Sequence, residues 1–270
     1  MKAFCTLISL MALAFPTYAV DGVVLINQSN ALAGNVTPGD APGFPVTITA
    51  PGSYRLSSNL TVPDANTTGV EIDADGVTID LNGFSIIGPT VCSGTPVTSC
   101  APTGSGAGIL SFQLGISIYN GIIRGMGGSG VELASSARIE RVQAIGNGGI
   151  GISTNGAVQF VGAFVSSCVA SGNRLSGILA NEVIGSYANG NGQDGIDFFG
   201  VARDNNALSN GRAGILGQGS MSGNSTARNS NGGIAVTCPS ILINNSATLN
   251  TGGNIVQTGS GCSIANNTAP

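Results

Sequence analysis

Residues 188–196 read ANGNGQDGI and residues 207–215 read ALSNGRAGI. In one frame they share Ala188/Asn191/Gly195-Ile196 and Ala207/Asn210/Gly214-Ile215. The frame runs upstream through Ala170/Asn173/Gly177-Ile178 and Ala144/Asn147/Gly151-Ile152. Downstream it continues, with substitutions, through Thr226/Asn229/Gly233-Ile234 and Ala247/Asn250/Asn254-Ile255. Successive Asn positions step by 26, 18, 19, 19 and 21 residues. Two more columns keep the same step. Five residues before each Ala or Thr stand Ile139, Val165, Val183, Ala202, Met221 and Leu242, and two residues before the last three stand Asn205, Asn224 and Asn245.

A fixed period of about twenty residues marks a stacked repeat. Short runs rich in Ile and Val favour strands, and a helical repeat would pay up to ~1 kcal/mol for every interior Gly. Strands one period apart then pair at about 4.8 Å, so each Ile or Val is buried against its equivalents above and below. Gly and Asn fit the left-handed corners. Stacked Asn amides hydrogen-bond along the axis and satisfy polar groups that each bend would otherwise strand in the core. The expected fold is all-β, a parallel β-helix (solenoid) of about ten turns, making a rod of roughly 50 Å.

Upstream the repeat is looser. Val70-Glu71-Ile72-Asp73, Val77-Thr78-Ile79-Asp80-Leu81 and Phe84-Ser85-Ile86-Ile87 alternate apolar and polar residues, with Asp75-Gly76 and Asn82-Gly83 at bends. Residues 88–107, with three prolines and two cysteines, read as a loop insertion closed by Cys92 and Cys100. The expected organisation is a signal peptide over 1–19, an N-terminal cap over 20–67 and the repeats over 68–270. The cap would cover the open sheet edge at that end. At the other end Cys262-Ser263-Ile264-Ala265-Asn266-Asn267 runs to Pro270 with no capping pattern, which leaves that end open to a buried partner or to self-association.

The signal-peptide reading rests on Lys2, the apolar run from Ala3 to Phe15, and Thr17 and Ala19 before the inferred cleavage. It implies a secreted, periplasmic or cell-surface protein with no transmembrane segment. Beyond residue 19 the chain has eight Arg, thirteen acids, no Lys and no His, a net charge of −5. That balance gives no footprint for nucleic acid. Without His, and with no zinc-like Cys spacing, a transition-metal centre is not expected. Five Cys remain: Cys92–Cys100 and Cys238–Cys262 are the expected disulfides, leaving Cys168 as a buried thiol.

The stretch 72–83, with Gly52-Ser53-Tyr54-Arg55-Leu56 before it and the Asn-Gly-x-x-Gly-Ile turns after it, resembles secreted bacterial right-handed parallel β-helix repeat proteins of the pectin-lyase-like superfamily. The resemblance covers roughly residues 45–265 and implies a right-handed coil. That superfamily holds polysaccharide lyases, glycoside hydrolases and mannuronan epimerases beside members of other roles, so fold alone does not set function. Its His-containing and Lys-dependent catalytic motifs cannot be present here, whereas an Arg-based lyase is still allowed. The resulting expectation is an exported protein without a clear catalytic signature, binding a polysaccharide or cell-surface glycan or serving a surface or structural role. The alternative is a polysaccharide lyase or related glycan-modifying enzyme using Arg and Asp.

Two charge groups are candidate sites. Asp194, Asp197, Arg203 and Asp204 are the densest cluster in the regular repeat and suit acid–base work on a glycan, although solvated turns and a surface ion pair explain them as well. Glu71, Asp73, Asp75 and Asp80 are oxygen-rich enough to hold Ca²⁺, the one cofactor expected if there is any, though the full Ca²⁺-loop pattern is missing. Alternation points Asp197 outward and Phe198 inward.

Overall fold

The computed structural model describes residues 22–134, 136–154 and 162–270. The inferred signal peptide lies outside them. The chain forms a parallel β-helix of about ten turns, as the repeat requires, coiled right-handedly as the resemblance implies.

Each turn contributes to three faces. The first stacks Val46–Ile48, Val70–Ile72, Ile109–Ser111, Val131–Leu133 and Ile152–Ser153, continuing through Ile178, Ile196, Ile215, Ile234 and Ile255. The second aligns Ile139, Val165, Val183, Ala202, Met221 and Leu242, the column read from sequence. The third aligns Ala144, Ala170, Ala188, Ala207, Thr226 and Ala247. Several strands turn a corner and serve two faces: Ser117–Arg124 pairs with Val77–Asp80 at its start and Ser85–Ile87 at its end. Inward residues of all three faces meet in one continuous core, where complete burial of an Ile or Val contributes about 1.5–3 kcal/mol.

Phe198 is fully buried and lies against Gly217 of the next turn. A Cβ at Gly217 would sit 2.0 Å from the Phe198 carbonyl oxygen and 2.6 Å from its ring, so both the backbone and the large side chain of the preceding turn require glycine there. The same turn carries only Ala202 on the second face, and a large and a small side chain share one layer.

The corner after the third face holds the first Asn ladder: Asn147, Asn173, Asn191, Asn210, Asn229 and Asn250. Each of the first five donates its backbone N–H and its Nδ2 to the Oδ1 one turn on, Asn250 donates both to Asn254 Oδ1 four residues on, and Nδ2 of Asn173, Asn191, Asn210 and Asn229 also donates to an alanine carbonyl one turn back. A second ladder between the second and third faces links Asn205, Asn224, Asn245 and Asn267. Upstream, Ser186 and Cys168 occupy its positions: Ser186 N donates to Asn205 Oδ1, and Cys168 N donates to Ser186 Oγ. Burial pushes the Cys168 thiol up to about 12. It is the free cysteine among the described residues, while Cys92–Cys100 and Cys238–Cys262 form disulfides.

Two regions differ in detail from the sequence reading. The stretch expected as a cap already joins the coil, because Val46–Ile48, Gly52–Leu56 and Leu60–Thr61 pair with the following turn. Before them the helix Gln28–Ala33 buries Ala31, and buried Asp40 accepts from the N–H groups of Val36 and Thr47. With Thr37 Oγ1 donating to the Thr47 carbonyl, side chains satisfy an edge strand that would otherwise template pairing with another chain. The segment read as a loop contains an antiparallel hairpin, Val91–Gly94 with Val97–Ala101, bridged by Cys92–Cys100. It lies along the coil: Thr90 N donates to Gly125 O, and Val97 N to Gly190 O.

Candidate functional site

Asp194 ends the corner that leads into the strand Ile196–Arg203. It is 3% exposed; its Oδ1 accepts from the Ala213 N–H of the next turn at 2.9 Å, and its Oδ2 lies 3.5 Å from Arg212 Nη1. Asp197, two residues after the corner glycine, points outward from the first face. Its vertical neighbours are Leu179 and Leu216. Two leucines displace water from either side, and this burial is the main reason its carboxyl is raised to about 6. The Asp194 charge adds to the rise, and Arg212 opposes it. Asp194, Asp197 and Arg212 therefore form one electrostatic unit.

Phe199 faces the same side as Asp197, two positions along the strand and 41% exposed. Gln218 stacks on it from the next turn. From the preceding turn, Asn181 Nδ2 donates to the Phe199 carbonyl oxygen. The result is a row Asn181–Phe199–Gln218 beside a row Leu179–Asp197–Leu216, with Arg212 at the corner. It offers an aromatic face between two amides, a carboxyl that changes charge near pH 6, and a guanidinium.

The cluster read from sequence divides in two. Arg203 and Asp204 lie at the far end of the strand on the second face, as an exposed pair 3.6 Å apart. The coil bends between Phe198 and Val201, and proximity in sequence is lost around that bend. Arg212 takes the place expected of Arg203. Register arithmetic could have found it, since Arg212 lies one nineteen-residue step after Gln193, the neighbour of Asp194. The same step carries Phe199 to Gln218. Asn181 escapes such arithmetic because the register shifts between Ala180 and Glu182.

The four carboxylates read as a Ca²⁺ set are dispersed in the same way. Glu71 faces out from the first face between Thr47 and Leu110. Asp73 is exposed after that strand, and Asp75 Oδ1 accepts from the Leu114 N–H at 2.7 Å. Asp80 belongs to the second face, accepting from Arg55 Nε, Asn82 N and Asn120 Nδ2. Among the described residues no group of three or more His, Cys, Asp or Glu side chains is placed to hold a metal ion. Elsewhere on the second face Glu140 pairs with Arg138 and Arg141, and the Arg138 guanidinium lies 5.4 Å from the Phe164 ring centroid.

No family model matches this sequence, and no curated protein matches it. Among solved structures, a double-mutant form of the periplasmic alginate epimerase AlgG aligns over 83% of this chain and 70% of its own, at 14% identity and a TM-score of 0.47. The enzymatically active domain of tailspike protein 2 from bacteriophage CBA120 aligns over 81% of this chain and 41% of its own, at 14% identity and a TM-score of 0.45. The Dettilon tailspike protein aligns over 74% and 39%, at 16% identity and a TM-score of 0.38. The chain thus spans about two fifths of either tailspike. Likenesses at this level say nothing about activity.

Proposed function

We propose that the first face around Asp197 binds carbohydrate and that the protein works outside the cytoplasm. The observation that carries this reading is the row Asn181–Phe199–Gln218 set beside Asp197. An exposed aromatic face packs against the C–H side of a sugar ring, while amides and a carboxyl supply donors and acceptors for its hydroxyls. A straight, stacked surface also suits a chain-like ligand. Two disulfides fit an oxidising compartment, and among the described residues no helix is long and apolar enough to cross a membrane.

A glycan array probed with the protein lacking residues 1–19 tests the reading. Binding to a defined glycan, lost in Phe199→Ala while the far-ultraviolet spectrum stays that of strands, is the expected result. Binding unchanged in Phe199→Ala, or no binding to any glycan, would refute it.

A second reading is favoured by one feature, the raised carboxyl of Asp197 beside Arg212. A carboxylate titrating near the working pH is suited to general acid–base chemistry. On a uronate polymer, Arg212 would pair with the sugar carboxylate and Asp197 would take the proton from the adjacent carbon. The glycosidic C–O bond then breaks, a C=C bond forms, and the proton passes to the leaving oxygen. Incubation with uronate polymers, with and without Ca²⁺, separates the readings: new unsaturated ends absorbing in the ultraviolet, lost in Asp197→Asn, identify an enzyme.

A further inference from the structure

The hairpin Val91–Gly94/Val97–Ala101, hydrogen-bonded along the coil, leaves a gap beside its entry leg. Between its entry leg, residues 88–92, and the third face is an open cleft of about 350 Å³, within the range of small-ligand sites. Its walls are aliphatic: Ile87 and Ile145 from the coil, Pro89 and Val91 from the leg. The outward column of the third face runs Ile87, Arg124, Ile145, so the Arg124 side chain stands between two isoleucines and lines the cleft. No Asp or Glu lines it, and Arg124, like Arg174 and Arg228, makes no ion pair among the described residues. Val91 is 73% exposed, an apolar side chain left beside the opening.

We propose that this cleft binds a small organic anion, a carboxylate on an apolar body, with Arg124 taking the carboxylate and the isoleucines, Pro89 and Val91 taking the body. An exposed guanidinium with no ion pair among the described residues is free to take an anion, and its planar fork matches a carboxylate. The aliphatic walls call for apolar surface on the same molecule. The leg is held on one side by Thr90 N donating to Gly125 O and on the other by the Cys92–Cys100 bridge, with Cys92 Sγ 3.3 Å from the Gly146 carbonyl oxygen. The wall is therefore in place before a ligand arrives. The cleft is on the third face, apart from the Asp197 surface, and its occupancy does not depend on the carbohydrate reading.

The test uses the protein with both disulfides intact and octanoate as probe, followed by the methyl signals of Ile87, Val91 and Ile145 and by calorimetry. Saturable shifts of those methyls are expected. Loss of one charge-assisted pair weakens binding by about tenfold or more, so Arg124→Gln should show that loss and Arg124→Lys should recover part of it. Octanol, the same chain without the charge, should bind at least about tenfold more weakly for the same reason. Val91→Asp, on the exposed hairpin, is an independent variant and should also weaken octanoate. Absence of saturable shifts, equal binding by Arg124→Gln, or tighter binding of galacturonate than of octanoate would each overturn the proposal, the last by making the cleft a sugar-acid site.

Discussion

Asn210 Oδ1 accepts two hydrogen bonds from Asn191, one from its backbone N–H and one from its Nδ2, each at 3.0 Å. Both residues are fully buried, and Asn210 repeats the arrangement toward Asn229. One amide thus closes the corner of its own turn and ties it to the next.

Replacing Asn210 by Ala removes the acceptor for two buried donors and the donor to the Ala188 carbonyl. A buried polar group left unpaired costs about 1–3 kcal/mol, so the loss should reach at least about 3 kcal/mol. The same change at exposed Asn206, which is in a strand and outside the ladder, should stay within about 0.5 kcal/mol. Urea unfolding of the two variants measures the contrast; similar losses would deny the ladder its role.

Thr226 occupies a column that is otherwise Ala from residue 144 to residue 247, and its buried Oγ1 has no partner among the described residues. Thr226→Ala should therefore be neutral or stabilise by up to about 1 kcal/mol, since an unpaired hydroxyl is removed from a site shaped for a methyl. A shift of the urea midpoint downward by the amount of an ordinary core truncation would contradict this.

Leu249 adopts φ 57° and is 70% exposed, whereas the equivalent corner residues Gly146, Gly172 and Gly190 are glycines at φ 62–63°. A left-handed conformation costs a side chain about 1–2 kcal/mol, of which glycine's greater unfolded-state freedom offsets part. Leu249→Gly should gain roughly 0.5–1 kcal/mol on the same scale. A lower melting temperature would show that the leucine side chain is needed there.

For Asp197 the folded-state value of about 6 lies above the ordinary 3.8. The folded protein therefore holds the proton more tightly than the unfolded chain. The stability from the neutral form is fully present below about pH 4 and is lost as pH rises through about 6. Asp197→Asn should remove this dependence and raise the melting temperature at pH 7, with little change at pH 4. Melting curves across that range check it, and a lower melting temperature for Asp197→Asn at pH 7 would exclude the burial argument.

The sequence by itself determined the coil. Ala, Asn, Gly-Ile and the aliphatic column recur because every turn meets the same neighbours, so the frame could be read from one turn to the next and the Asn columns placed as ladders. The two disulfides were legible for a related reason, since one pair brackets a short insertion and the other spans one repeat.

Only the tertiary structure decided which charges meet. A chain that turns through three faces per repeat carries residues a few positions apart to different sides, as it does with Asp197 and Arg203, and brings together residues one repeat apart, as with Asp194 and Arg212. The hairpin whose entry leg borders Arg124 is outside the period altogether, and nothing in a repeating frame says where an insertion comes to rest. Buried columns obey a periodic rule because the core imposes it on every turn; surface sites depend on corners, bulges and insertions, which each turn makes in its own way.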